Sequence, residues 1–158
     1  MKTRILALTG ALLLLGAFPA VAGTNKFSVT LKDDGAEVGK LSFKIKTNKK
    51  GVATKITSMK ATGLETKCLS EAGVAPGATI TGKITGKVKV FKTKAAGGKT
   101  VYAFNASGLK GPGFFFSFSG GTNKKGTKVK NARLTGSDAD PSPPSCTHQP
   151  DDFNAKRK

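Results

Sequence analysis

The chain has 158 residues, with 27 Lys and Arg against nine Asp and Glu, one His, two Cys, no Trp and a formal net charge of +18. That length suits one domain with a modest core, and one imidazole is too few for a His-rich metal centre. Charge of this sign and size argues against basic partners and for polyanions, among them anionic polymers, lipid headgroup surfaces and nucleic acid.

The chain opens with Lys2 and Arg4, an apolar stretch from Ile5 to Phe18, and Ala20-Val21-Ala22. A basic start, a short apolar run and a small-x-small site make an export signal, expected over residues 1–22 and followed by a single secreted domain at 23–158, extracellular or bound to the cell envelope. The apolar run is shorter than the roughly 20 residues of a membrane span, and no second run follows, so no transmembrane segment is expected in the mature chain. Loss of 22 residues from 158 leaves 136, and loss of Lys2 and Arg4 leaves a charge of +16. Only Arg133 and Arg157 then interrupt a population of lysines. Lysine is a solvated point charge without the planar fork of arginine, so diffuse attraction is expected rather than a specific anion pocket. The competing reading is that the lysines keep β edges apart and the protein soluble.

Apolar residues then recur with period two. Phe27, Val29 and Leu31 share a face, as do Leu41, Phe43 and Ile45, and each set reads as a half-buried strand. From Ile80 to Lys94, Ile80, Ile84, Val88 and Val90 fall on one parity with Gly82 and Gly86, which predicts a bulge, a bend or a close neighbour at the glycines. Tyr102 and Phe104 mark a further strand, Phe114, Phe116 and Phe118 another, and Val129 to Thr135 a weaker one. A Pro/Ser/Asp-rich loop is expected at 137–145, a short last strand around Phe153, and a fraying basic tail at 156–158. The fold class expected is all-β, an antiparallel β-sandwich or closed β-barrel of about 7–9 strands.

An internal echo organises these strands. Thr47-Asn48-Lys49-Lys50-Gly51 recurs as Thr122-Asn123-Lys124-Lys125-Gly126, 75 positions later, and Leu41-Ser42-Phe43 corresponds to Phe116-Ser117-Phe118. The pattern predicts two related three-strand units, each with a hairpin turned at Asn-Lys-Lys-Gly. Cys68 follows the first unit and Cys146 the second. In an exported chain these two are expected to form one disulfide, contributing about 4 to 5 kcal/mol on the chain-entropy model.

Candidate chemistry is sparse. His148 adjoins a cysteine expected to be oxidised, which removes the thiolate a Cys-His device needs. Glu37, Glu65 and Glu71 form no carboxylate pair suited to acid-base work. Asp138 with Asp140 and Asp151 with Asp152 read as turn formers rather than calcium ligands. The Gly-Pro stretch from Leu109 to Gly113 leads into a strand, not the helix a phosphate-cradling loop requires. No catalytic residue, cofactor or metal is expected, and the chain is read as a non-enzyme. The alternating parity instead places Lys83, Lys87 and Lys89 on a solvent face, and Phe115 and Phe91 beside lysines as candidate exposed aromatics able to stack on a base, sugar or lipid edge.

The two cysteines, the Phe114 to Phe118 strand, the arm from Gly126 to Gly136 and the ending Phe153-Asn154-Ala155-Lys156 resemble small secreted β-domains of actinobacterial type. The resemblance implies export and a β fold, and carries no site residues. The function expected is non-catalytic association with anionic cell-surface or extracellular polymers. The alternatives are an adhesin-like or inhibitory protein-interaction module and, behind it, an unconventional hydrolase.

Overall fold

The computed structural model describes residues 22–139 and 144–158, so the expected leader lies, but for Ala22, outside the described residues. The chain forms β1 (Thr24–Asp33), β2 (Ala36–Thr47), β3 (Ala53–Leu64), β4 (Lys67–Ser70), β5 (Gly73–Pro76), β6 (Ile80–Ile84), β7 (Val88–Lys94), β8 (Thr100–Gly111), β9 (Phe114–Thr122), β10 (Lys128–Asp138), β11 (Ser145–His148) and β12 (Phe153–Lys156).

These strands make one antiparallel sheet in the order β1-β2-β3-β7-β8-β9-β10-β11-β4-β5, with β6 paired to β3 and β12 to β10. This corrects the expectation of a sandwich or closed barrel of about 7–9 strands: the described residues form 12 strands in one continuous sheet that neither divides into two nor closes. Backbone bonds from Asp151 N to Lys32 O (2.7 Å) and from Lys158 N to Lys26 O (3.1 Å) tie the flanks of β12 to β1, without a ladder between the two strands.

The extra strands arise from two causes. β4, β5, β11 and β12 are four residues each, too short to show alternation, and β5 is exposed throughout. The long strand expected over 80–94 is broken into β6 and β7 around Gly86, where φ is +144° and a side chain would meet Leu109 Cδ2 at 2.5 Å. Thr85 there exchanges backbone bonds of 2.7 and 2.8 Å with Lys110 of β8. Of the loop expected at 137–145, Ser137 and Asp138 close β10, Ser145 opens β11, and 140–143 lie outside the described residues. The basic tail is tied by Arg157 N to Thr127 O (3.0 Å) and by the Lys158 bond to β1.

The inward parity builds the core. Phe27 stacks on Phe43 (centroids 4.9 Å apart), Phe43 meets Phe118 edge-on, and Phe118 contacts Phe104 and Phe153. Leu31, Leu41, Ile45, Leu64, Val129 and Leu134 are buried around them.

The two expected units are the meanders β1–β3 and β8–β10. Their second hairpins share a register: Lys40 faces Thr62 as Phe115 faces Ser137, and Leu41 faces Ala61 as Phe116 faces Gly136, each pair 75 positions on. Each third strand also steps over an extra residue in left-handed conformation, Ser58 (φ 54°) and Asn131 (φ 47°), so that Ile56 and Met59, and Val129 and Ala132, all point inward. The repeated turns share their chemistry. Asn48 Oδ1 accepts from Lys50 N and Val52 N, Asn123 Oδ1 accepts from Thr127 N and Lys128 N, and Gly51 (φ 70°) and Gly126 (φ 63°) supply the positive φ. Beyond the units, Cys68 of β4 and Cys146 of β11 face each other and form the disulfide.

Candidate anion-binding surface

Residues directly opposite in a sheet share a face, so register shows which lysines the fold brings together. Lys26 of β1 opposes Lys44 of β2, Lys46 of β2 opposes Lys55 of β3, Lys55 opposes Lys89 of β7, Lys60 of β3 opposes Lys83 of β6, and Lys128 of β10 opposes Lys156 of β12. Lys46, Lys55 and Lys89 thus form one row across three strands. Like charges placed directly opposite destabilise a sheet, each pair by up to about 1 kcal/mol. Among the described residues no carboxylate is interleaved in these pairs.

Acidic residues are segregated. Asp33, Asp34, Glu37 and Glu65 lie where β1 ends, β2 begins and β3 ends, remote from the Asn-Lys-Lys-Gly turns. Glu71 follows β4 and Asp138 is the last residue of β10, both at the disulfide side, and Asp152, just before β12, lies beside β10 with its Oδ1 3.7 Å from Arg133 Nε.

The two repeated turns meet at the basic end. Ala53 N donates to Lys124 O (2.8 Å), and Asn25 Nδ2 donates to the carbonyls of Lys125 and Gly126 (3.0 and 2.9 Å). Lys50, Lys124, Lys125 and Arg157 line a depression of about 370 Å³ between the turns. Lys124 also lines a second, open cleft of about 1030 Å³ with Lys92, Lys99, Lys128 and Lys130. Tyr102 and Ala103 of β8 and Gly120 and Gly121 of β9 also line it, with Ala103 and Gly121 directly opposite each other on the face away from the core, its floor, and no carboxylate is in the lining.

Of the residues singled out from the sequence, Lys83, Lys87 and Lys89 are exposed, the first and third within the opposed pairs and Lys87 in the link between β6 and β7. Phe91 and Phe115 are 46% and 41% exposed. They are not brought together: Phe91 aligns through Ala103 with Gly121, and Phe115 lies six residues from Gly121 along β9, about 20 Å away at strand rise. The cleft lysines were not singled out. The signal available was Gly120-Gly121 inside a Phe-rich strand beside a repeated basic turn.

His148 is buried, and its Nδ1 lies 2.7 Å from Glu65 O, which makes Nδ1 the protonated nitrogen. Its Nε2 has no hydrogen-bond partner among the described residues. Burial lowers its pKa from the usual 6.5, partly offset by the Glu65 carbonyl bond and the charge of Asp33. It lines a depression of about 420 Å³ with Thr66, Lys67 and Asp33. Cys146, two residues away, is held in the disulfide. Asp151 approaches Asp33 and Asp34 rather than acting with its neighbour Asp152, the three offering carboxylate oxygens within 4.8 Å of one another. Lys67 Nζ already sits 2.6 Å from Asp33 Oδ2, a bond that raises the lysine pKa.

Among the described residues no helix is long and apolar enough to cross a membrane. Compared with protein-family models, curated proteins and solved structures, the chain matches none of them.

Proposed function

We propose that the protein is a non-catalytic, exported domain that associates with anionic polymers at the cell surface or outside the cell. The observation that carries this reading is the row Lys46–Lys55–Lys89. Lysines that guard against edge pairing belong on edge strands, whereas β3 and β7 have partners on both sides and β2 lies between β1 and β3. Solubility needs no alignment of like charges, since interspersed signs serve it at lower cost. Self-repulsion along such a row is relieved when an anionic chain lies across it, which turns a cost in the free protein into a gain on binding.

The test compares retention on immobilised anionic polymers across a salt gradient for the oxidised protein and for the same chain reduced and alkylated at Cys68 and Cys146. Stronger retention of the folded form, falling steeply with salt, is expected. Equal retention of the two forms would remove the reading, because composition alone would then account for the attraction.

A second reading, contact with another protein, is favoured by Leu69 and Val74, directly paired across β4 and β5 and 62% and 69% exposed. An apolar pair of this kind marks contact surfaces when it belongs to a larger patch. Replacing both by Ser would abolish such a contact and leave polymer retention unchanged.

A further inference from the structure

We infer that the two depressions at the basic end form one track, and that its occupant is a linear, base-free polyanion built of phosphate or phosphodiester groups. The inference rests on the polyanion reading above and adds to the row Lys46–Lys55–Lys89 a concave seat and a ligand class.

Continuity comes from Lys124, which lines both the cleft over β8 and β9 and the depression between the repeated turns. A compact anion fills one of these spaces, whereas a chain passes from one to the other past a shared cation. Shape adds to charge. Gly121 leaves the cleft floor open between Ala103 and Lys130, its partners on either side. A Cβ there would meet only backbone oxygens, of Lys130 at 3.6 Å and Tyr102 at 3.7 Å, so local packing does not demand a glycine. Beside the floor, Lys128 and Lys156 oppose each other with no carboxylate between.

The lining also selects the class. Among the described residues that line the track, Tyr102 is the one aromatic ring and Arg157 the one guanidinium, and Phe91, opposite Ala103, stands beside the cleft without lining it. Sequence-tolerant binding of single-stranded nucleic acid relies on several stacking rings along the groove, and specific phosphate pockets favour bidentate forks. A track of lysines offers neither and suits a flexible chain of repeated negative groups. Its concavity likewise suits a chain rather than a flat headgroup surface.

The experiment measures affinity of the oxidised protein for long-chain inorganic polyphosphate over a range of salt, beside triphosphate, single-stranded DNA of matched charge and anionic phosphatidylglycerol vesicles. Long-chain polyphosphate is expected to bind tightest, with triphosphate weaker by at least about tenfold because it cannot engage both depressions. Lys124→Gln with Lys128→Gln is expected to lower the log-log salt slope by about 2 and to weaken binding more than Lys40→Gln with Lys110→Gln, an equal change of charge at exposed lysines outside both the track and the opposed lysine pairs. Gly121→Val, which leaves the charge intact and fills the floor, is expected to weaken binding by roughly tenfold, the scale of a lost charged contact or two. Should Gly121→Val fail to fold, as judged by its melting curve, the lysine pairs decide alone. Equal effects of the two pairs, or a folded Gly121→Val that binds like the parent, would overturn the track while leaving polyanion association standing. Tighter binding of DNA or vesicles would overturn the ligand class. Absence of any advantage of the folded over the alkylated chain would remove the parent reading and this one with it.

Discussion

Phe43 and Phe118 stand at equivalent positions of the two repeated units, 75 residues apart, and they touch each other edge to face with ring centroids 5.5 Å apart. Contact between a residue and its own repeat counterpart is what an isologous interface between two copies would give, here enclosed within one chain. Each ring also anchors its own unit, Phe43 through Phe27 and Phe118 through Phe104.

Replacing either ring by Ala is expected to cost about 3–5 kcal/mol, the usual range for a buried Phe. Phe118→Ala should be the costlier, since Phe118 also meets Phe153 of β12. The double variant should lose less than the sum of the two, because the rings share a contact. Denaturant unfolding of the four proteins of this cycle measures all three quantities.

Acid should weaken the fold through His148. Its pKa in the folded protein lies below the unfolded value of 6.5 because burial penalises the charged ring. The unfolded chain therefore binds more protons in the window below 6.5, and stability is fully present above that pH and lost as pH falls through the folded pKa. His148→Asn, which keeps a donor for Glu65 O and removes the titration, should flatten the dependence of the urea midpoint on pH across this window. An unchanged dependence would assign the acid loss to other groups.

Reduction of Cys68–Cys146 should lower stability by about 4.5 kcal/mol on the loop-entropy model, given a sequence separation of 78. Cys68→Ser with Cys146→Ser should give the same loss in the absence of reductant. Both are read from the shift in unfolding midpoint, and a loss under about 1 kcal/mol would mean that the unfolded chain is already constrained without the bridge.

The identical turns should respond differently to the same substitution. Gly51 faces open space, so Gly51→Ala should cost about 1 kcal/mol, the strain of a left-handed alanine. At Gly126 a Cβ would lie 2.7 Å from Ile45 Cγ2 and 3.2 Å from Ala53 Cβ, so Gly126→Ala should cost more and loosen the contact between the turns. Melting temperatures of the two variants provide the comparison.

Much of the strand content was legible because a half-buried strand writes its burial into the sequence every second residue, as in Leu41, Phe43 and Ile45. The repeat was legible for a related reason: the Asn cap and the positive φ of the glycine fix the same letters wherever the turn is built. The outline of the sheet was not. Whether strands close, divide or continue depends on which distant edges meet, and the four-residue strands β4, β5, β11 and β12 carry too few residues to announce themselves. The site was half legible in the same sense. Lys83 and Lys89 were placed on a solvent face by parity, but their alignment with Lys60 and Lys55 is a matter of register across strands far apart in sequence. The cleft, which joins residues from Lys92 to Asn131, is likewise a product of pairing rather than of any local pattern.

The disulfide makes the stretch between Cys68 and Cys146 a covalent ring. The exposed linker from Ala95 to Lys99, between β7 and β8, lies within that ring, and so does all of β8–β10. A protease that cuts once after Lys94 or Lys99 therefore releases nothing: it converts the protein into two chains, one carrying each repeated unit, still bolted together at the end opposite the basic turns. Such a nicked molecule would keep its mass but for one water until a reductant reached it, and only then would its halves be free to part.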